Sequence, residues 1–190
     1  AAAMTLAYVK NTIGLTVSDE ELENIPHPSL ELYTHTTYRG VQFGIFVSMA
    51  MVAPVVTAIR GPRNFSGLAA RALRFGRVGA LAGLPLGPAM TIGMTRGDPD
   101  VAMYDRAYRL RYNFNQVRQD RFGIASTAAG AAVGGINGAL CGVLAGILLG
   151  TIYNTAVAPA HQKAPKYEKV KAVVKEAKEL AKQAKQGKAE

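Results

Sequence analysis

Polar and apolar positions fall into long blocks along this chain rather than alternating within short elements. No charged side chain occurs between Arg39 and Arg60, between Arg77 and Arg96, or from Phe122 to Gln162. A helix in water keeps a polar face, so charge-free stretches of this length indicate helices in lipid; the competing reading is a soluble core rich in glycine and alanine. The first block predicts a span at 41–59, whose ~19 residues reach roughly 28 Å, near the hydrocarbon thickness of a bilayer. Pro54 should kink it. The second block predicts a weaker span at 78–95, bent by Pro85 and Pro88 and able to insert only as part of a bundle. The third is too long for one crossing, because ~39 helical residues would extend nearly 60 Å. It divides into spans at 122–137 and 139–157, with a break between Gly134 and Gly138 around Asn137. Two helices joined by almost no loop must be antiparallel neighbours. The expected fold class is an all-α membrane protein with four transmembrane helices in residues 41–160.

The flanking segments are polar. Residues 1–40 read as an interfacial N-terminal segment, where Ser18 and Glu21 have the spacing of a capping box and Pro26 and Pro28 should end the helix it starts. Residues 60–77 carry Arg60, Arg63, Arg71, Arg74 and Arg77 with no acid, interleaved with Leu68, Leu73 and Phe75. This predicts a short interfacial helix whose arginines meet lipid headgroups. In the polar connection 96–121, Asp98 and Asp100 flank Pro99 in a turn, and Tyr104, Tyr108 and Tyr112 line one face of an interfacial helix. Residues 161–190 form a Lys-rich helical tail with a thin stripe of Val170, Val173, Ala177, Leu180 and Ala184, expected to be largely solvated.

Glycine is placed periodically. Gly79, Gly83 and Gly87 repeat every four residues, as do Gly130, Gly134, Gly138, Gly142, Gly146 and Gly150. Four residues rotate a helix by ~400°, so each series keeps to nearly one face. Because lipid supplies little hydrophobic drive between helices, faces of small residues associate by close backbone approach. These glycines are therefore expected to pack helices together. A water-filled pore is the alternative, but no charged row lines the spans.

The net charge of +9 changes the picture little. The cations fence the apolar blocks and fill the tail, which suits lipid headgroups and topology control rather than nucleic acid. Cys141 lies in an apolar run and reads as a small packing residue. The first forty residues are net acidic, so targeting is expected to be internal or to use a presequence already removed. His27, His35 and His161 are scattered, His27 and His35 read as surface residues, and no spacing suggests a metal ligand set or phosphate cradle. The expectation is a protein with no enzymatic activity, cofactor, metal, small-molecule substrate or buried acid–base pair.

Four spans with a charged connection ahead of the Gly-rich third span resemble the mitochondrial Tim translocase superfamily. That family's motif sets an arginine four residues before an aspartate, then a small residue and glycine, then a second glycine four residues later. Here Arg118 and Asp120 precede Ala129, Gly130 and Gly134; the arginine–aspartate separation is one residue instead of three, and the gap to the glycines is about two residues longer. The resemblance covers roughly residues 40–157. It implies a multi-pass protein of the mitochondrial inner membrane, with Arg118 and Asp120 pairing at the end of the third span. Members of that superfamily that guide polypeptides carry acidic residues facing a lateral cavity, whereas the spans expected here lack acids. The resemblance therefore points to the family's accessory subunit of respiratory complex I, with import translocase component as the alternative. The partners implied are other membrane subunits of a respiratory complex and phospholipid, cardiolipin among the candidates. The arginine-rich connection 60–77 would face the matrix and both termini the intermembrane space.

Overall fold

The computed structural model describes residues 2–158 and 167–186. All regular structure among them is helical: α1 (Ala2–Ile13), α2 (Asp19–Glu23), α3 (Pro28–Phe46), α4 (Ala53–Arg60), α5 (Phe65–Thr95), α6 (Asp100–Tyr112), α7 (Phe114–Ala156) and α8 (Tyr167–Gln186). Three helical runs, Pro28–Arg60, Phe65–Thr95 and Phe114–Ala156, are long and apolar enough to cross a membrane. Residues divide into two compact units: 1–32, 92–117 and 159–190 form one, and 33–91 with 118–158 the other.

The first run starts earlier than the apolar block suggests. Pro28 opens α3 instead of ending its predecessor, since a proline in a first helical turn sacrifices no intrahelical bond. The run continues through a π-helical turn, Val47–Val52, into α4. Pro54 has no N–H to offer the preceding turn, and the widened turn just upstream, where the Ala53 N–H bonds Ser48 O, takes up the mismatch. The expected interfacial helix at 60–77 and span at 78–95 are likewise one helix, α5, which passes through Pro85 and Pro88.

α7 is two helices in sequence. Gly134 (φ −131°, ψ 20°) and Gly135 (φ 56°, ψ −141°) leave helical geometry and fold the chain back on itself. The break falls within the expected Gly134–Gly138 window, at Gly134–Gly135 and just ahead of Asn137, because Gly135 adopts a backbone conformation that an L side chain strains against. The resulting arms, 114–133 and 136–156, run antiparallel, with Gly130 against Gly138, Ser126 against Gly142 and Gly123 against Gly146. Ile45 and Met49 of the first run pack with Leu140 and Val143 of the second arm to form the apolar centre of this unit.

The other unit is built from short amphipathic helices. Ser18 caps α2 with a full capping box: its side chain accepts from the Glu21 N–H, and Glu21 accepts from the Ser18 N–H. Tyr104, Tyr108 and Tyr112 do share one face of α6, with ring centroids 6.2 and 4.9 Å apart. They do not line a membrane interface, however. Tyr108 and Tyr112 are buried against Leu22 and Ile25, and Tyr104 donates to Glu23 O at 2.7 Å. Burial, and then the neighbouring Tyr108 and acids of α2, push the Tyr112 phenol up to about 12. The tail helix α8 packs on α6 through Val174 while Val173 and Leu180 are exposed, so its buried stripe is displaced by one residue. Lys178 reaches Asp98 at 3.2 Å. His161 and the side chains of Val170 and Ala184 lie outside the described residues.

Candidate functional site

The site begins with small residues. α3 and the residues after it present Thr36, Gly40, Gly44 and Ser48 at four-residue intervals, and α5 presents Gly79, Gly83, Gly87 and Thr91 at the same interval. The two series meet antiparallel. A Cβ at Gly83 would overlap the backbone of Gly40, one at Gly79 the carbonyl of Gly44, and one at Gly87 the carbonyl of Thr36. Thr91 donates to Thr36 Oγ1 at 2.9 Å at the end of the seam. Backbone-to-backbone contact of this kind allows dispersion and Cα–H···O attraction to hold helices without large side chains.

A second seam joins the arms of α7. Cβ atoms at Gly130 and Gly138 would each overlap the other residue's carbonyl, and one at Gly142 the carbonyl of Ser126. A Cβ at Gly146 would stand 2.6 Å from Gly123 Cα, and one at Gly150 2.5 Å from Gln119 Oε1. Gly134 is different: nothing lies within 4 Å of its Cβ position. It belongs to the bend, where its Cβ position meets open space. Cys141 also departs from its expected packing role and is exposed.

Charge is buried beside these seams. His35, Arg39 and Gln42 occupy one face of α3, where positions i, i+4 and i+7 align. Asp120 on the first arm of α7 is 4% exposed and lies 2.8 Å from Arg39 Nη2 and 3.1 Å from His35 Nδ1. Arg39 Nη1 also donates to Gln42 Oε1 at 2.8 Å. The chain thus contains the buried acid–base pair that its sequence did not reveal, and His35 is a core residue rather than a surface one. The family-motif charges are reassigned too. Residues 118 and 120 diverge by about 200° on a helix, so Asp120 turns to α3 while Arg118 Nε donates to Asn154 Oδ1 at 2.9 Å.

A comparable node closes the other unit. Arg111 is 1% exposed; its Nε donates to Glu31 Oε2 at 2.8 Å and its Nη2 bonds Glu31 Oε1. Its Nη1 reaches the carbonyls of Glu21, Leu22 and Asn24 at 2.8, 3.1 and 3.2 Å, satisfying the end of α2. Asn11 Nδ2 donates to Arg111 O at 3.2 Å, tying in α1. Nothing local in the sequence marks this pair, which is separated by 80 residues.

The arginines expected at lipid headgroups divide into two sets. Arg60, Arg63, Arg74 and Arg77 are exposed, and Arg71 is partly buried. Arg63 Nε donates to Ala58 O at 2.8 Å. Arg71 donates to Thr57 Oγ1 and Gly61 O, both at 2.7 Å, and so staples the end of α4 to α5. Arg77 Nη2 donates to Asn137 Oδ1 at 2.7 Å, next to the bend in α7. Among the described residues no group of three or more His, Cys, Asp or Glu could hold a metal ion.

Fold and site together define, among the described residues, an all-helical protein with three membrane-length helices, held by backbone contact and by buried, paired charge. The chain belongs to the DUF1757 family, described as a protein of unknown function, whose family model matches residues 8–153. No curated protein matches it.

Proposed function

We propose that this chain is a structural subunit of a mitochondrial inner-membrane respiratory complex, most specifically complex I, acting in assembly and stability of the membrane arm. In this reading it crosses the bilayer four times, once with each of the runs Pro28–Arg60 and Phe65–Thr95 and once with each arm of α7. The second arm has ~21 residues and a length of roughly 30 Å, which matches a hydrocarbon core; the first reaches that length only by including Arg118, Asp120 and Arg121 at its headgroup end. The observation that carries the reading is an inversion of ordinary burial. Glycines occupy the seams, while Phe43, Leu81, Leu148 and Ile152 are 58%, 68%, 61% and 50% exposed. Such a surface suits lipid tails and neighbouring membrane subunits.

Assignment to mitochondria and to complex I is supported by the resemblance to the Tim superfamily. The structural class is favoured over the translocase class by the pairing of acids. The acids of the membrane-length helices are Glu31 and Asp120, and both meet cations. A basic import substrate would find its complementary field already neutralised. The mechanism is adhesion without catalysis, with the arginine-rich end of α5 on the matrix side and the termini in the intermembrane space. Native electrophoresis of mitochondrial membranes in mild detergent, with the chain located by mass spectrometry, tests this. Comigration with NADH dehydrogenase activity is expected; comigration with import machinery would replace the reading by the translocase alternative.

A further inference from the structure

Arg118 and Arg121 stand three residues apart on the first arm of α7 and therefore share a face. They line one cavity of about 390 Å³ together with Phe122, Ala125 and Tyr153. The lining carries two guanidinium groups and no carboxylate. Asp120, the acid between them in sequence, points to Arg39 and His35 on another face. Asn154 accepts from Arg118 Nε at 2.9 Å and orients its planar fork. The remaining wall is apolar, with the Phe122 and Tyr153 rings 5.4 Å apart across the two arms.

This arrangement changes character along the arm. The cations stand where the uncharged stretch begins at Phe122. From Arg121 to the bend, ~13 residues give about 20 Å of helix without charge, enough to accompany an acyl chain through one leaflet of ~15 Å. A guanidinium recognises a phosphodiester by paired charge-assisted hydrogen bonds, and aromatic and alanine surface suits the chains below it. An acidic peptide would match the arginines but not the apolar wall.

We propose that Arg118 and Arg121 hold the phosphate of one anionic phospholipid, with its glycerol in the cavity and its acyl chains along Phe122, Ala125 and Tyr153. The site rests on the membrane reading given above. It differs in place from the arginines of 60–77 and makes the lipid a seated ligand of the hairpin rather than a general surface contact.

The test uses the full chain in bilayer discs of phosphatidylcholine with and without a minor fraction of cardiolipin or phosphatidylglycerol. Native mass spectrometry after gentle detergent release is expected to find a retained anionic lipid on the wild type. The double variant Arg118→Gln/Arg121→Gln should lower that retention tenfold or more, since each charge-assisted bond contributes about a factor of ten. Arg118→Lys/Arg121→Lys should restore part of it, and Arg96→Gln, at an exposed arginine outside both arginine sets, should leave it unchanged. Equal retention by wild type and the double Gln variant overturns the site. So does inorganic phosphate displacing the lipid at millimolar concentration, which would indicate an ion site. Carbonate extraction of the chain from its native membranes is a separate arm. Release into the soluble fraction would overturn the membrane reading itself, whereas resistance combined with unaltered retention in the variants would overturn only the lipid site.

Discussion

The two units achieve tight packing by opposite means. In the unit containing α6, large side chains fill the interior: three tyrosines in ring-to-ring contact, and an arginine whose donors are spread over a carboxylate and three carbonyls. In the unit containing the arms of α7, the contact surface is made by removing side chains, and carbonyls rest on glycine backbone. On the membrane reading proposed above, the contrast follows from solvent. Water rewards burial of large apolar groups and punishes their exposure. Lipid does neither, so close approach and satisfied polar groups are what remain to hold helices together. The difference teaches where each unit is vulnerable: the first to loss of a side chain, the second to gain of one.

The largest effect should come from Arg111→Ala. It leaves Glu31 buried without its partner and strips the end of α2, a combination that costs about 3–5 kcal/mol. Hydrogen exchange of the purified protein in detergent should show α1, α2 and α6 losing protection together; intact protection in α2 would refute the assignment of Arg111 as the closing node.

Next comes the seam between α3 and α5. Gly83→Leu should cost about 1–3 kcal/mol through overlap with the Gly40 backbone, outweighing the ~1 kcal/mol of helix propensity gained. Gly134→Ala, which meets open space, should leave thermal unfolding in detergent unchanged. Equal responses of the two variants would show that periodicity alone, not contact, was being read.

A smaller, pH-dependent effect belongs to the docking of α8. Hydrogen bonding from Arg106, then Lys178, holds the Asp98 carboxyl below its ordinary value of 3.8. A depressed folded pKa means that the stabilisation is complete above about pH 4 and is lost as pH falls through the lowered value. Exchange in α8 should therefore rise only below pH 4 and should lose that step in Asp98→Asn; a step near neutrality would point to a different group.

Much of the glycine-packed unit was legible because its cause is local. The length of the third apolar block demanded a break, and glycine spacing named a face. The same spacing was present at Thr36, Gly40, Gly44 and Ser48, but the charges at Glu31 and Arg39 drew the start of the span to Val41 and hid half of the seam. Charge near the end of a membrane-length helix can be tolerated when it is paired, as Asp120 is with Arg39 and His35, and that pairing is invisible in one dimension. His35, Arg39 and Gln42 at helical spacing were the available clue. The Arg111–Glu31 node had none, since long-range pairing leaves no periodic trace. The tyrosines gave the right face and the wrong environment, because an aromatic stripe fits a membrane interface and a small core equally well.

The bend at Gly134–Gly135 also bears on how such a chain is made. The residues around it, 131–137, include a single polar side chain, Asn137, and no charge. In a four-span protein an insertion machine would have no hydrophilic loop to drag through the bilayer at this point. The two arms can enter together, already paired, from the side on which their outer ends remain.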